Sequence, residues 1–232
     1  RYNTVINTVI TLTNWHKSHI ITLYPSLNPD KIKIINNGID VSQFNSKNSN
    51  NKIKNKFVWS SRSERGLHII LNLWSEIIDK LPDATLDICS YGDFPINEQD
   101  NQMLKIINSY NSITYHGKLN TKELYDLMSI SEYWLYTTNF TETSCITAME
   151  MLMSEVICLY YPIAGLNDTL GDYGIPINQG EEIETLVHLS TEKKTLLREK
   201  GKEYALSCSW TNRAEEWSTM LGLNKTNNKI GI

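Results

Sequence analysis

One pattern repeats along the chain: a short β-branched or aromatic run, then a longer stretch with apolar residues at helical spacing. Residues 57–60, Phe-Val-Trp-Ser, read as a strand, and 66–80 as a helix with Leu67, Ile70, Leu71, Trp74, Ile77 and Ile78 on one face. Pro82-Asp83 punctuates, and a strand over 84–90 runs to a turn signal at Gly92-Asp93. A helix over 98–110, a strand over 113–116 closing at Gly117, and a helix capped by Thr121 follow. The pattern then gives a strand over 133–137, a helix over 143–153, a fully apolar strand over 156–160 and a short strand over 174–177. Two helices close the chain, and the glutamates and lysines from Glu181 to Lys202 read as a solvated helical face.

Continuous apolar strands alternating with helices predict an α/β fold: a Rossmann-like, doubly wound parallel sheet covered on both faces. In such sheets ligands bind beyond the carboxyl ends of the strands, where strand order reverses. The first stretch differs. Val9 to Leu12 is a brief apolar run, Asn14 is placed to cap a helix, and 31–35 alternates as a strand ending in the turn signal Asn36-Asn37-Gly38. The polar stretch 42–55 reads as a mobile loop or linker.

Composition narrows the function. With 232 residues and 41% hydrophobic content the chain can bury a core, and a net charge of −4 argues against a general polyanion or nucleic-acid binder. No apolar run approaches the roughly 20 residues that span a bilayer. The cysteines at 89, 145, 158 and 208 lack zinc or redox spacing, which fits a reducing, cytoplasmic setting. The histidines show no ligand spacing either, so no metal is expected. Asn139-Phe-Thr141 and Asn167-Asp-Thr169 match the glycosylation pattern, which chance explains in so Asn-rich a chain.

Two constellations carry candidate chemistry. After strand 57–60 come Arg62, Arg65 and Gly66 at a strand-to-helix junction, where backbone amides and the helix dipole favour an anion and the guanidinium fork matches phosphate. The alternative is a pair of solvated arginines facing Glu64 or Asp93. After strand 133–137 comes Glu142, expected beside the first-turn amides of Ser144, Cys145 and Ile146, with Glu150 two turns further along. Here the alternatives are a carboxylate complementing the helix dipole and a surface acid.

The spacing of Glu142 and Glu150, seven residues between them, resembles the paired-glutamate motif of family 4 glycosyltransferases, which have the GT-B fold. Four further stretches agree in order: Asn37-Gly38-Ile39-Asp40 through Phe44, Arg62 through Arg65-Gly66-Leu67, His116-Gly117-Lys118-Leu119, and Ser209-Trp210. The resemblance implies the C-terminal half of a GT-B fold, with residues 1–30 a trailing segment of an acceptor domain or a linker helix, 31–208 the Rossmann-like donor domain, and 209–232 a helix packing back towards the acceptor domain, then a flexible tail. It implies Arg62 and Arg65 on the donor diphosphate and Glu142 on the transferred sugar, these three forming the catalytic set. Glu150 would hold the ribose, while Gly66, Lys118, Thr143, Ser144, Cys145 and Ile146 complete the donor site. The partner implied is a UDP- or GDP-sugar, transferred with retention and without metal or other cofactor. The acceptor domain is expected to be missing, leaving this piece inactive alone, and peripheral membrane contact of the full protein stays open.

Two departures bear on the loops. Glu150 is followed by Met-Leu-Met-Ser-Glu-Val, without the glycine and proline common in the family, and Gly165-Leu166-Asn167-Asp168 replaces the usual sugar-contacting loop. A catalytically inactive nucleotide- or sugar-binding or interaction module remains the alternative, with a nucleotide-sugar epimerase a more remote one.

Overall fold

The computed structural model describes residues 5–44, 51–90 and 98–223. The turn signal Gly92-Asp93, Asp93 as an arginine partner, part of the polar stretch 42–55, the first four residues and the tail lie outside the described residues.

Six strands form one all-parallel sheet: β3 (Lys56–Ser60), β4 (Thr85–Cys89), β5 (Ile113–Gly117), β6 (Tyr133–Tyr136), β7 (Ile157–Tyr160) and β8 (Ile175–Pro176). Their order, β5-β4-β3-β6-β7-β8, reverses between β3 and β6. This is the Rossmann arrangement, and it puts the ligand-binding crevice outside the carboxyl ends of those two strands. Strands β6 and β7 are buried on both faces, as their unbroken apolar runs require, whereas the outer strand β5 alternates buried and exposed positions.

Helices flank the sheet. Helix α2 (Leu67–Lys80) buries Leu67, Ile70, Leu71, Trp74 and Ile77, and Trp74 meets Phe57 of β3 edge-on at 5.8 Å between ring centroids. Next come α3 (Glu98–Ser109), α4 (Thr121–Ile130), α5 (Ile146–Met153) and the short α6 (Leu166–Leu170). Three helices rather than two end the described chain: α7 (Glu182–Val187), α8 (Thr191–Ser207) and α9 (Trp210–Met220). Their charged run is not uniformly solvated. Glu182 is buried, accepts from the Gly180 amide at 2.8 Å and takes the Tyr161 hydroxyl, because its helix starts against the end of β7.

The first segment forms its own parallel pair, β1 (Val9–Thr11) with β2 (Ile32–Ile34), joined through α1 (Asn14–Leu23). Strand β2 pairs with β1 and not with the six-stranded sheet. This unit is tied to the larger one: the Thr13 hydroxyl donates to the Thr143 carbonyl at 2.8 Å, and the Trp15 amide to Asp168 Oδ2 at 2.6 Å. Two stretches far apart in sequence also meet, since the Ile39 amide donates to the Cys208 carbonyl and the Trp210 amide to Ile39. A side chain at Gly38 would collide with the Trp210 ring at 2.9 Å.

Four local expectations are corrected. Thr13, not Asn14, caps α1, and Asn120, not Thr121, caps α4 in a full capping box with Glu123. Helix α5 begins at Ile146 rather than 143, because the preceding backbone is held extended by the bonds at Thr143 and Glu142. The described part of 42–55 is anchored: Phe44 stacks on Tyr125 at 4.1 Å, and Lys52 donates to the Met128 and Ser154 carbonyls at the ends of α4 and α5.

Candidate functional site

The β3–α2 and β6–α5 junctions meet at the point of strand reversal. Gly66 makes this contact: with φ of +109° it adopts a left-handed conformation, and an added Cβ would lie 2.4 Å from the Thr137 carbonyl. The Thr137 hydroxyl donates back to the Gly66 carbonyl at 3.2 Å. Glycine here lets the two loops touch, and Arg65, one residue earlier, is thereby aimed at the neighbouring junction.

Arg65 Nη1 donates to Glu142 Oε1 at 2.8 Å, and the guanidinium lies 4.0 Å over the Phe140 ring. Burial acts to lower the Arg65 pKa, but Glu142 and Tyr136 outweigh it and hold the guanidinium charged more firmly than usual. Glu142 is 7% exposed, and the Tyr136 hydroxyl donates to its same oxygen at 3.0 Å. Burial pushes the Cys145 thiol up to about 12, with Glu142 adding to the effect, so Cys145 is an inert neighbour rather than a nucleophile.

A cleft of about 250 Å³ opens beside this pair, lined by Ser60 and Ser61 at the end of β3, Cys89 and Ser90 at the end of β4, Lys118 and Leu119 after β5, Thr121, Leu124 and Tyr125 of α4, and Thr147 and Glu150 of α5. Every wall is a carboxyl-end loop or a helix starting there. Glu150 accepts the Tyr125 hydroxyl at 2.7 Å, and burial raises its carboxyl above the ordinary range against that bond. Ser61 belongs to both parts, as its hydroxyl lies 3.5 Å from the Tyr136 hydroxyl.

The sequence-predicted residues divide accordingly. Arg65 and Glu142 converge, and Gly66 shapes their junction. Lys118 and Glu150 share the cleft. Arg62 is exposed and lies 3.6 Å from Glu64, the alternative partner that sequence offered. The amides at the start of α5 are those of Ile146, Thr147 and Ala148 rather than 144–146, with Cys145 as the cap. The Thr143 carbonyl is taken by Thr13, and Ser144 lines a small separate cavity with Thr13, Asn36, Asp168 and Tyr204. Sequence reasoning missed Tyr136, Phe140, Tyr125 and Ser61. Only Phe140 left a signal, an aromatic in an otherwise polar loop.

Among the described residues no group of three or more His, Cys, Asp and Glu side chains is placed to hold a metal ion, and no helix is long and apolar enough to cross a membrane.

No family model and no curated protein matches the chain. Solved structures do. A glycosyltransferase from Rickettsia africae superposes with a TM-score of 0.76 at 17% identity, over 95% of this chain and 66% of that one. HepE from Anabaena, in complex with UDP and glucose, gives 0.74 at 18% identity over 96% of this chain and 65% of that one. The pneumococcal O-GlcNAc transferase GtfA, in complex with UDP and GlcNAc, gives 0.71 at 16% identity over 96% of this chain and 46% of that one. The chain thus spans about two thirds of the first two proteins and less than half of the third. With its six parallel strands, flanking helices and crevice at the strand reversal, the chain has the α/β Rossmann-like fold of GT-B glycosyltransferase domains.

Proposed function

We propose that this chain is the donor-binding domain of a retaining, family 4 glycosyltransferase that takes a UDP- or GDP-sugar. The observation that carries the reading is the Arg65–Glu142 contact of 2.8 Å, joined through the Tyr136 and Ser61 hydroxyls to a cleft lined by Lys118 and Glu150. A cation and two acids at the strand reversal suit a ligand with a diphosphate in the middle and a hydroxyl-rich group at each end. Arg65, with Arg62 swinging in from solvent and the first amides of α2 and α5, would meet the diphosphate and stabilise its charge as it leaves. Glu142 would take hydroxyls of the transferred sugar, and Glu150 those of the ribose. This donor set meets the diphosphate charge without a metal ion or other cofactor.

In the same reading residues 1–30 trail from an acceptor domain, 31–208 hold the donor, and the helix after 209 packs back towards the acceptor domain. Transfer by this piece alone is then negligible, because domain closure excludes water and completes the site. Four buried free thiols support a reducing, cytoplasmic setting. The satisfied Arg65–Glu142 pair also suits an inactive binding module, so activity must be tested apart from binding.

The test is a thermal-shift screen of UDP, GDP and their sugar conjugates against the wild-type chain, Arg65→Ala and Glu150→Ala. A ligand that binds only the folded form raises the melting point. We expect one nucleotide series to stabilise the wild type and to lose that effect in both variants. Equal shifts in all three proteins, or none in the wild type, would remove the reading.

A further inference from the structure

The geometry points to Tyr136 as the positioning residue that sets Glu142 against its ligand, spending one carboxylate oxygen on protein so that Oε2 is the oxygen offered to the donor sugar. This rests on the donor-binding reading above and adds a residue to it.

Tyr136 ends β6 at the carboxyl edge of the sheet, and its hydroxyl touches both Glu142 and Ser61, a residue that lines the cleft. Its ring cannot swing. It stacks on Trp134 at 4.3 Å and 15°, leans on Trp59 at 5.5 Å, and is 1% exposed. The hydroxyl donates to Glu142 Oε1 at 3.0 Å, and Arg65 Nη1 donates to the same atom at 2.8 Å. Two donors on one oxygen fix the rotation of the carboxylate about its terminal bond, a torsion that is otherwise broad. Burial raises the phenol pKa well above its usual value, so the hydroxyl keeps its proton and remains a donor at any working pH. Arg65 alone could not impose this orientation once a diphosphate draws on its other donors. Tyr136 has the Ser61 hydroxyl at 3.5 Å as a further neighbour, a longer and neutral contact, so its proton stays directed at the carboxylate and it holds Oε1 through the binding event.

A residue that merely packs the sheet would affect every ligand alike, whereas one that orients Glu142 affects only the part of the donor that Glu142 touches. Affinities of the full 232-residue chain are therefore measured by calorimetry for UDP, GDP and their hexose conjugates, in the wild type and in Tyr136→Phe. The increment by which a conjugate binds more tightly than its bare diphosphate is the readout. Tyr136→Phe keeps the ring stack and should cut that increment by about tenfold, the effect of one hydrogen bond to a charged group, with diphosphate affinity unchanged. If the Phe variant does not fold, Glu142→Asp, which draws the carboxylate back from the phenol, should show the same selective loss. An increment that survives, or equal losses for diphosphate and conjugate, overturns the assignment while the donor reading stands. A wild type that binds diphosphates but no conjugate more tightly also overturns it. A wild type that binds no nucleotide removes the donor reading and this assignment together.

Discussion

Consider Arg65→Met. The substitution keeps the aliphatic stem but removes the charge facing Glu142, whose side chain is 9% exposed against 28% for Arg65. Breaking a buried pair by deleting one partner costs about 3–5 kcal/mol, because the remaining charge stays desolvated. Two features reduce that figure here. Water reaches Arg65 and screens the pair, and Tyr136 still donates to the stranded carboxylate at 3.0 Å. About 2–3 kcal/mol of lost stability is therefore expected at neutral pH.

The double variant Arg65→Met, Glu142→Gln separates this account from simple loss of packing. An amide offers Tyr136 an acceptor without carrying charge, and removing both members of a polar pair is far less costly than removing one. The double variant should lie within about 1 kcal/mol of wild type. The assay is urea unfolding followed by tryptophan fluorescence, with an unchanged slope required so that midpoints report stability. A double variant as unstable as Arg65→Met, or a single variant within about 0.5 kcal/mol of wild type, would refute the reasoning that Glu142 is a desolvated charge held by Arg65. Under the proposed donor role, nucleotide binding should not recover with stability in the double variant, since the guanidinium is absent from both variants.

Gly66→Ala should cost roughly 2–4 kcal/mol in the same assay, combining the left-handed φ with a Cβ driven against the Thr137 carbonyl; a loss below about 1 kcal/mol would show that the loops can part freely. Lys52, whose pKa burial lowers from 10.5 to about 7, lacks in the folded state a proton that the unfolded chain holds between those values. Stability should thus rise with pH across that window, and Lys52→Met should flatten the rise; parallel curves would refute it. Glu150 behaves oppositely: its carboxyl is raised from 4.5 by burial, so the folded chain keeps a proton that the unfolded chain has lost. Its contribution is present at acid pH and fades as pH rises through the folded value, so the stability difference between wild type and Glu150→Gln should shift from acid to neutral pH.

Much of the fold was legible because its inner strands are buried on both faces and announce themselves as unbroken apolar runs, such as Tyr133–Tyr136 and Ile157–Tyr160. Strand order was not, since nothing in β3 or β6 says that they are neighbours. The convergence of Arg65 on Glu142 depends on that adjacency. Sequence placed both at strand ends; the sheet put the two ends side by side. The caps slipped by one residue because Thr13-Asn14 and Asn120-Thr121 each offer two good capping side chains, and backbone angle makes the choice. Lys52 and Glu182 sit in polar runs that read as solvated, yet each is drawn against the ends of packed elements, an effect of tertiary context that local composition does not carry.

Tyr136 shows the same limit at the site. In a strand of four buried residues its ring is indistinguishable from core, and only its hydroxyl, reaching past the sheet edge, has a polar task. The loop that carries Glu142 is fixed from the opposite side. Thr13 holds the Thr143 carbonyl, the Gly165 amide holds that of Glu142 at 2.8 Å, and a side chain at Gly165 would stand 2.4 Å from the Thr143 oxygen. Side chain and backbone of Glu142 are thus restrained by separate elements: β6 and the β3–α2 junction on one side, α1 and α6 on the other. In the proposed donor role a carboxylate held that way would meet the sugar without ordering a loop first, so less of the interaction would be lost to ordering. It follows that the β1–α1–β2 unit helps to build the candidate site: Thr13 sits two residues after β1, and its loss would loosen the Glu142 loop without touching any cleft residue.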